Sequence, residues 1–441
     1  MKTTQWELLQ KIGFVRVSGT QQEKQAAELL REAVEACGEK ARLEMFEVAD
    51  QSIEKVSCAT EKTSYTVTAY GGCGETEDSG ITAPFYYMEY PGAVSQQQAS
   101  GKIVLVNGYL NYKLYKALVE SGAVGFITYN GEARDSAETT DIAHRELRDK
   151  LAELGRLPGV NMTIQDAMRL VQETPKMITL VVQQKPLKAV SQNVIAEIQG
   201  LTRPEEVIVL TAHYDSVEYS TGVYDNGAGS VILMELLQHF HDHQPNRTLR
   251  FIWCGSEERG LLGSHAYVDT HEDDLKAIRF NVNVDVAGAV LGHDSAWCLG
   301  PIELEAMVKT YAAQAGIQLE VKSEVYSSDE VPFSDQGIPS VSFMRFGERG
   351  ANYIHNRHDV LDYLSADSLA KTTQIVLNFL KQLDQSVVFP IERKIPEDQK
   401  KKIDEAEVFH FPGYRLRKAL TKLTTEESPV DAPYTPAKPS T

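Results

Sequence analysis

Between Thr20 and Gly38 the apolar residues Ala26, Ala27, Leu29, Leu30, Ala33, Val34 and Cys37 recur at helical spacing, which predicts a helix with one buried face. Thr20 and Glu23 give this helix a T-x-x-E capping signature, and Gly38 stops it. From about residue 64 the period shortens. Alternating positions over 64–70 precede an apolar run over 102–106, a helical pattern over 111–121 and a second run over 124–129. Together these form a βαβ unit with an expected right-handed crossover. Beyond about residue 190 the rhythm is strand, helix, strand, helix. Strands are predicted over 207–210, 248–253, 279–284 and 340–343, and helices over 229–241, 261–270, 302–315 and 366–383. Such alternation predicts an α/β fold with a mixed, mostly parallel sheet flanked by helices. Ligands in these folds sit at the carboxyl ends of the strands, so chemistry is sought just past each one. Near the end, 413–424 has the pattern of a short basic amphipathic helix. Residues 424–441 read as an extended or disordered tail.

A chain of 441 residues has room for two or three domains at roughly 100–200 residues each. Its formal charge, 44 Lys and Arg against 62 Asp and Glu, is −18. A surface that acidic repels phosphate backbones and anionic lipid, so neither nucleic acid nor a membrane is an expected partner. No apolar run approaches the ~20 residues of a membrane span. The start lacks the layout of a secretory leader, and a cytoplasmic location is expected. Cys37, Cys58, Cys73, Cys254 and Cys298 are scattered and include no C-x-x-C pair, which argues for unpaired thiols in a reducing compartment.

The residues just past the strands change the picture. His213, Tyr214 and Asp215 follow the first strand of the second half; Asp225 sits in Tyr224-Asp225-Asn226-Gly227 ahead of a helix; Glu257 and Glu258 follow the next strand. Asp285 ends Asn281-Val282-Asn283-Val284, and the last loop brings His355, His358 and Asp359. Singly, each has an ordinary explanation: a surface His-x-Asp pair, an N-cap aspartate, a solvated helix start. Jointly, five strand-end or loop positions aim acids and imidazoles at one sheet edge, where unpaired carboxylates would repel one another unless cations held them. Imidazole and carboxylate without thiolate suit Zn²⁺, with Co²⁺ or Mn²⁺ possible. Two such ions about 3.5–4 Å apart share a bridging carboxylate and clamp a water, whose proton a neighbouring free carboxylate must accept. Adjacent glutamates can provide one ligand and one base.

In order and spacing, His213-Tyr214-Asp215, Asp225-Asn226-Gly227-Ala228-Gly229, Ser256-Glu257-Glu258-Arg259-Gly260-Leu261-Leu262-Gly263-Ser264, Asn283-Val284-Asp285 and Ile354-His355-Asn356-Arg357-His358-Asp359 resemble the motif series of the M28 family of co-catalytic zinc peptidases, which includes aminopeptidases. Arg16-Val17-Ser18-Gly19-Thr20 resembles that family's amino-terminal region. The likeness covers about 10–60 and 190–388. It implies a zinc exopeptidase fold over 1–63 and 188–390, two Zn²⁺ per chain, and a peptide substrate. His213 and Asp285 would complete one metal position, Glu258 and His355 the other, with Asp225 bridging and Glu257 as general base. Asp215 and Asp359 would orient His213 and His355. The peptide bond after Asp225 is often cis in such enzymes. Asp329, in Ser328-Asp329-Glu330-Val331-Pro332-Phe333, would border the substrate pocket. Residues 64–187, through Gly101–Val106, Ala123–Ile127 and Leu157-Pro158-Gly159-Val160, resemble a protease-associated (PA) domain that shapes access without binding metal. Residues 391–441 would be a C-terminal extension, partly disordered.

Two departures stand out. Asn356 occupies a position where Thr is common, and Ile354 one where some members place an oxyanion-steadying Tyr; Tyr353 or Arg345 are the substitutes at hand. His358 competes with His355 as ligand, and the His355-x-x-x-Asp359 spacing favours His355. The tract His239, His241, His243 reads as a helix end, where imidazoles suit the dipole. Gly227-Ala228-Gly229-Ser230 lacks the lysine and third glycine of a phosphate loop and reads as close packing beside Asp225. The expected activity is release of amino-terminal residues. A carboxypeptidase or dipeptidase, kept open by Arg345, and a non-catalytic receptor on the same fold are the alternatives; oligomeric state is open.

Overall fold

The computed structural model describes residues 4–107, 110–136 and 138–410. Its centre is a mixed, mostly parallel sheet flanked by helices. Four parallel strands lie side by side in the order Arg247–Cys254, Arg203–His213, Ile278–Val284 and Ser340–Gly347. Gly292–Leu299 runs antiparallel on the outer side of Ser340–Gly347, and Glu320–Lys322 pairs parallel beyond it. On the far side Met177–Ile198 runs antiparallel to Arg247–Cys254.

The continuous apolar runs in the central strands follow from burial on both faces. Along Arg203–His213, Ile208 and Leu210 face one core with Leu233 and Leu237 of the helix Ala228–Asp242 and Leu380 of Ala366–Gln385. Val207 and Val209 face the other core, with Tyr267 and Val268 of Leu262–Thr270 and with Phe333. The expected strands and helices of this half appear within a few residues of their sequence bounds. The two strands on the outer side, Gly292–Leu299 and Glu320–Lys322, have no counterpart in the sequence reading.

A helix at Gln5–Ile12 was also not foreseen. Thr4 and Glu7 close a reciprocal capping box, and Leu8, Leu9 and Ile12 are buried. The second T-x-x-E, Thr20 with Glu23, begins the helix Gln21–Ala36 but closes only halfway. The Thr20 hydroxyl accepts from Glu23 N at 3.3 Å, while the Glu23 carboxylate turns inward. Its partners belong to the site described below.

Residues 64–187 gather around a second hydrophobic cluster, in which Ile103, Leu105, Phe126, Ile127 and Val160 pack with Leu114, Tyr115 and Leu118. The expected βαβ unit is present. Ile103–Val106 and Gly125–Asn130 are parallel, joined through Tyr112–Glu120, whose N-cap is Asn111. The expected boundary at residue 188 falls inside a strand rather than at a break in it. Met177–Ile198 is a single strand, paired antiparallel with Ala41–Ala59 from Ala41 opposite Ala196 to Ala59 opposite Thr179. It belongs to both cores.

The helix Glu397–His410 packs back onto the sheet half, with Ile403 buried against Leu261, Leu299 and Val331. The helix and tail expected over 413–441 lie outside the described residues. All five cysteines are buried, and none forms a disulfide. Among the described residues no helix is long and apolar enough to cross a membrane.

Candidate metal centre

Four adjacent parallel strands deliver the candidate residues to one crest. His213 is the last residue of its strand, and Asp285 follows Ile278–Val284. Glu257 and Glu258 form a short 3₁₀ turn past Cys254, and His355 lies in the loop after Gly347. Asp225 sits in the buried turn Val223–Gly227 ahead of Ala228–Asp242, and the Asp225–Asn226 peptide bond is cis. Gly229 permits this turn to nestle on the sheet. A Cβ there would stand 2.4 Å from both Asn226 Oδ1 and Val284 O.

Two groups of potential ligand atoms result, His213 with Glu257 and Asp285, and Asp225 with Glu258 and His355, each group falling within 4.8 Å. Asp225 joins them: its Oδ1 is 3.1 Å from His213 Nε2 and its Oδ2 is 3.1 Å from His355 Nε2. Asp285 Oδ1 lies 3.5 Å and Glu257 Oε2 3.9 Å from His213 Nε2, and Glu258 Oε2 is 3.1 Å from His355 Nε2. His213 is closed off, but the His355 side chain keeps 49% exposure, so the cleft opens on that side.

The electrostatics favour cations. Burial alone would depress the His213 pKa, yet Glu257, Asp285, Asp215 and Asp225 raise it well above the ordinary value. Glu258 and Asp225, against burial, push His355 up to about 12. Burial raises Glu257 well above the usual carboxylate range; His213 opposes this and Glu258, Asp285 and Asp329 add to it. For Asp225 burial also acts upward, but hydrogen bonds from His213 and His355 win and keep it ionised. Glu258 Oε1 and Asp285 Oδ1 are buried without a hydrogen-bond partner among the described residues. Orphaned carboxylate oxygens beside imidazoles, with no sulfur near, are what a zinc site presents.

Beneath this cluster lies a supporting layer. Asp215 Oδ1 is 3.4 Å from His213 Nδ1, and the same carboxylate accepts from Glu257 N at 3.0 Å and Glu258 N at 3.2 Å. Glu23 accepts from Gly19 N, Ser191 Oγ and Ser256 N, which ties the helix Gln21–Ala36 under the Glu257 turn. Burial raises the Glu23 pKa to about 7. The buried Arg16 donates to the carbonyls of Ile12, Phe14, Tyr214, Thr221 and Gly222, and so clamps the loop between Asp215 and Asp225.

Several expected residues lie elsewhere than foreseen. No hydrogen bond joins Asp359 to the His355 ring. Its carboxylate accepts from Tyr224 N at 2.8 Å and Asp225 N at 3.1 Å, so it steadies the bridging aspartate instead. Arg345 does not line the cleft, since its guanidinium is buried on Asp294 at 2.9 Å and on Ala289 O at 2.7 Å. Asp329 is fully buried rather than lining an open pocket, and it interacts electrostatically with His213 and Asp285. Tyr353 accepts from Arg134 at 3.2 Å and packs against His358 and Tyr363. His241 pairs with Glu39, His239 stacks on His243, and neither joins a group of potential ligands.

Two neighbours escape sequence reasoning. Arg148 arrives from the inserted segment and bears electrostatically on Glu257. Tyr326, wedged against Trp297 and Phe346, feels Asp285, Asp225 and Glu257. Neither sits in a recognisable motif.

Comparison with known proteins agrees with the crest geometry. Residues 193–380 match peptidase family M28. Aminopeptidase YwaD of Bacillus subtilis (strain 168) is 28% identical over 380 residues, 82% of this chain and 79% of that one. Carboxypeptidase Q of Xenopus laevis is 28% identical over 240 residues, so the chain spans about half of that protein's length, 51%, with the same share of its own. The structure of BSAP, a zinc aminopeptidase from Bacillus subtilis, superposes with a TM-score of 0.74 at 25% identity, covering 90% of this chain and 98% of that one. Over residues 193–380 the chain is thus similar to peptidase family M28. The chain is zinc aminopeptidase-like in both sequence and fold.

Proposed function

We propose that this protein is a di-zinc exopeptidase that releases amino-terminal residues from peptides. One observation carries the reading: the two oxygens of Asp225 face different histidines, as a carboxylate shared between two cations must. His213 and Asp285 would complete one position, Glu258 and His355 the other. Four carboxylates, Asp225, Glu257, Glu258 and Asp285, converge here, and two divalent ions would offset their charge. Bound zinc supplies Lewis acidity to the scissile carbonyl and to water; Co²⁺ or Mn²⁺ would serve similarly.

The chain's own residues do the rest. Glu257 takes a proton from the attacking water and returns it to the departing amine nitrogen. Its side chain, almost wholly buried beside His213, is placed to hold that proton away from bulk water. Asp215 fixes the Glu257–Glu258 turn through two backbone N–H groups while facing His213. Asp359 fixes Asp225 in the same manner. The preference for a free amino terminus rests on the likeness to aminopeptidase YwaD and to BSAP. We also infer that residues 64–187 are a PA-type insert and 1–63 with 188–390 the catalytic unit, a division supported by the two cores.

A carboxypeptidase or dipeptidase activity is the second reading. Arg148 is the observation in its favour, a cation within electrostatic reach of Glu257. The test is hydrolysis of aminoacyl arylamides, amino-terminally acetylated peptides and dipeptides after loading with Zn²⁺. Arylamide turnover that a chelator abolishes and Zn²⁺ restores is expected. Cleavage of acetylated peptides alone would select the second reading, and no hydrolysis of any substrate by zinc-loaded protein would leave a receptor on this fold.

A further inference from the structure

His355 is the least supported member of the centre. The side chains of His213, Asp225, Glu258 and Asp285 are each at least nine-tenths buried, whereas His355 is half-exposed. Its backbone is left-handed, with φ +58°, a conformation that a non-glycine residue keeps only when its surroundings impose it. Among the described residues its ring meets Asp225 and Glu258, and the carboxylate at Asp359 is engaged elsewhere. What positions His355 must therefore act on the loop's backbone.

The inserted segment reaches that loop from both sides. Two residues before His355, Tyr353 accepts a hydrogen bond from Arg134 at 3.2 Å. Two residues after it, Arg357 is gripped by Asp141: Oδ1 accepts from Arg357 Nε at 2.7 Å, and Oδ2 accepts from the Arg357 backbone N at 3.3 Å. The stretch holding Asp141 is itself anchored to the insert. Thr140 bonds Gln165 at 3.0 Å, Ala143 O accepts from Thr68 and Asn161 at 3.2 Å each, and Leu147 N donates to Gly71 O at 2.8 Å. The same stretch touches the other ligand-bearing loops: His144 N donates to Glu218 at 2.6 Å, and Glu146 pairs with Arg259, the residue after Glu258.

We propose that the insert is a structural partner of the metal centre, and that Asp141 is a positioning residue which, through Arg357, holds His355 in its ligating pose. This rests on the di-metal reading above. Supporting residues of metal ligands commonly alter affinity by about 10–100-fold. The group containing His355 should respond to Asp141, and the more deeply buried group containing His213 should not.

The experiment titrates zinc into the full-length chain against a chromophoric chelator, for the wild type, Asp141→Asn and Asp141→Glu, alongside kcat at limiting and saturating Zn²⁺. The wild type is expected to bind two equivalents. Asp141→Asn should weaken one of them about 10–100-fold, leave the other unchanged, and regain kcat when Zn²⁺ saturates; Asp141→Glu should recover most of the lost affinity. The retained tight equivalent reports that the variant is folded. Two equivalents held at wild-type affinity in Asp141→Asn would overturn the proposal, as would loss of both together. A wild type that binds no zinc would instead overturn the di-metal reading beneath it.

Discussion

Replacing Glu257 by Gln isolates proton transfer from everything else in the cleft. Gln has nearly the same volume, and the backbone N of residue 257 keeps its 3.0 Å bond to Asp215, so the turn should hold its shape. The amide accepts no proton at working pH. Loss of a positioned general base costs about 10²–10⁴ in rate, which is roughly 2.7–5.4 kcal/mol of barrier. A value in the upper half is expected, because the Glu257 side chain is only 12% exposed and bulk water can hardly deputise for it. Metal content is the second readout. Glu257 Oε2 stands 3.9 Å from His213 Nε2 and within ligand range of Asp285, so the geometry alone also permits a ligand role. With Asp225, Asp285 and His213 intact, the variant should still bind two zinc equivalents while kcat collapses. Steady-state kinetics on an arylamide and elemental analysis of the same preparation decide it. Unchanged kcat, or the loss of one metal equivalent in proportion to activity, would refute the assignment.

Other outcomes can be checked separately. Asp225→Ala should reduce zinc content below one equivalent per chain, since both groups lose their shared oxygen donor; two tightly held ions would show that the bridge lies elsewhere. Arg16→Lys leaves at most three donors for five carbonyls; Ile12 O and Gly222 O keep Phe14 N and Gly227 N, so a loss equivalent to one buried acceptor, about 1–3 kcal/mol, is expected from the denaturation midpoint. A hydrogen bond from the His144 ring to the Glu218 carboxylate raises the His144 pKa above 6.5, with burial opposing it. A folded-state pKa raised in this way adds stability below 6.5 that fades as pH rises through the shifted value. His144 should therefore titrate above 6.5 by NMR in the wild type and return toward 6.5 in Glu218→Gln; an identical titration in both would remove the contact.

The central strands were legible because runs such as Val207-Ile208-Val209-Leu210 are apolar on both faces, a pattern that a doubly covered sheet imposes. The ligand candidates were legible because strand ends fix them: His213 ends its strand, Asp285 directly follows one, and the Glu257–Glu258 pair begins three residues past Cys254. Long-range partnerships were not. The Asp359 carboxylate could have served His355 or Asp225 equally well on spacing, and only the folded loop brings it to the Asp225 backbone. Arg345 resembled a free cation until Asp294, 51 residues away in sequence, proved to be its partner. Thr20 and Glu23 matched a capping box, but a buried carboxylate accepting from Gly19, Ser191 and Ser256 is better satisfied than one reaching back to its own helix start. The unexpected helix Gln5–Ile12 shows the converse, a true capping box on a segment too short to display a full apolar stripe.

The uninterrupted strand Met177–Ile198 has a practical consequence for anyone wishing to trim or transplant the insert. Entry and exit are zipped to each other along nearly the whole length of Ala41–Ala59, so no floppy tether exists at which to cut. A graft made at residue 188 would sever a ladder in mid-run and leave raw edges on both fragments. One made at the far tip, across Ala59 and Thr179, would keep the lever intact and exchange only what it carries.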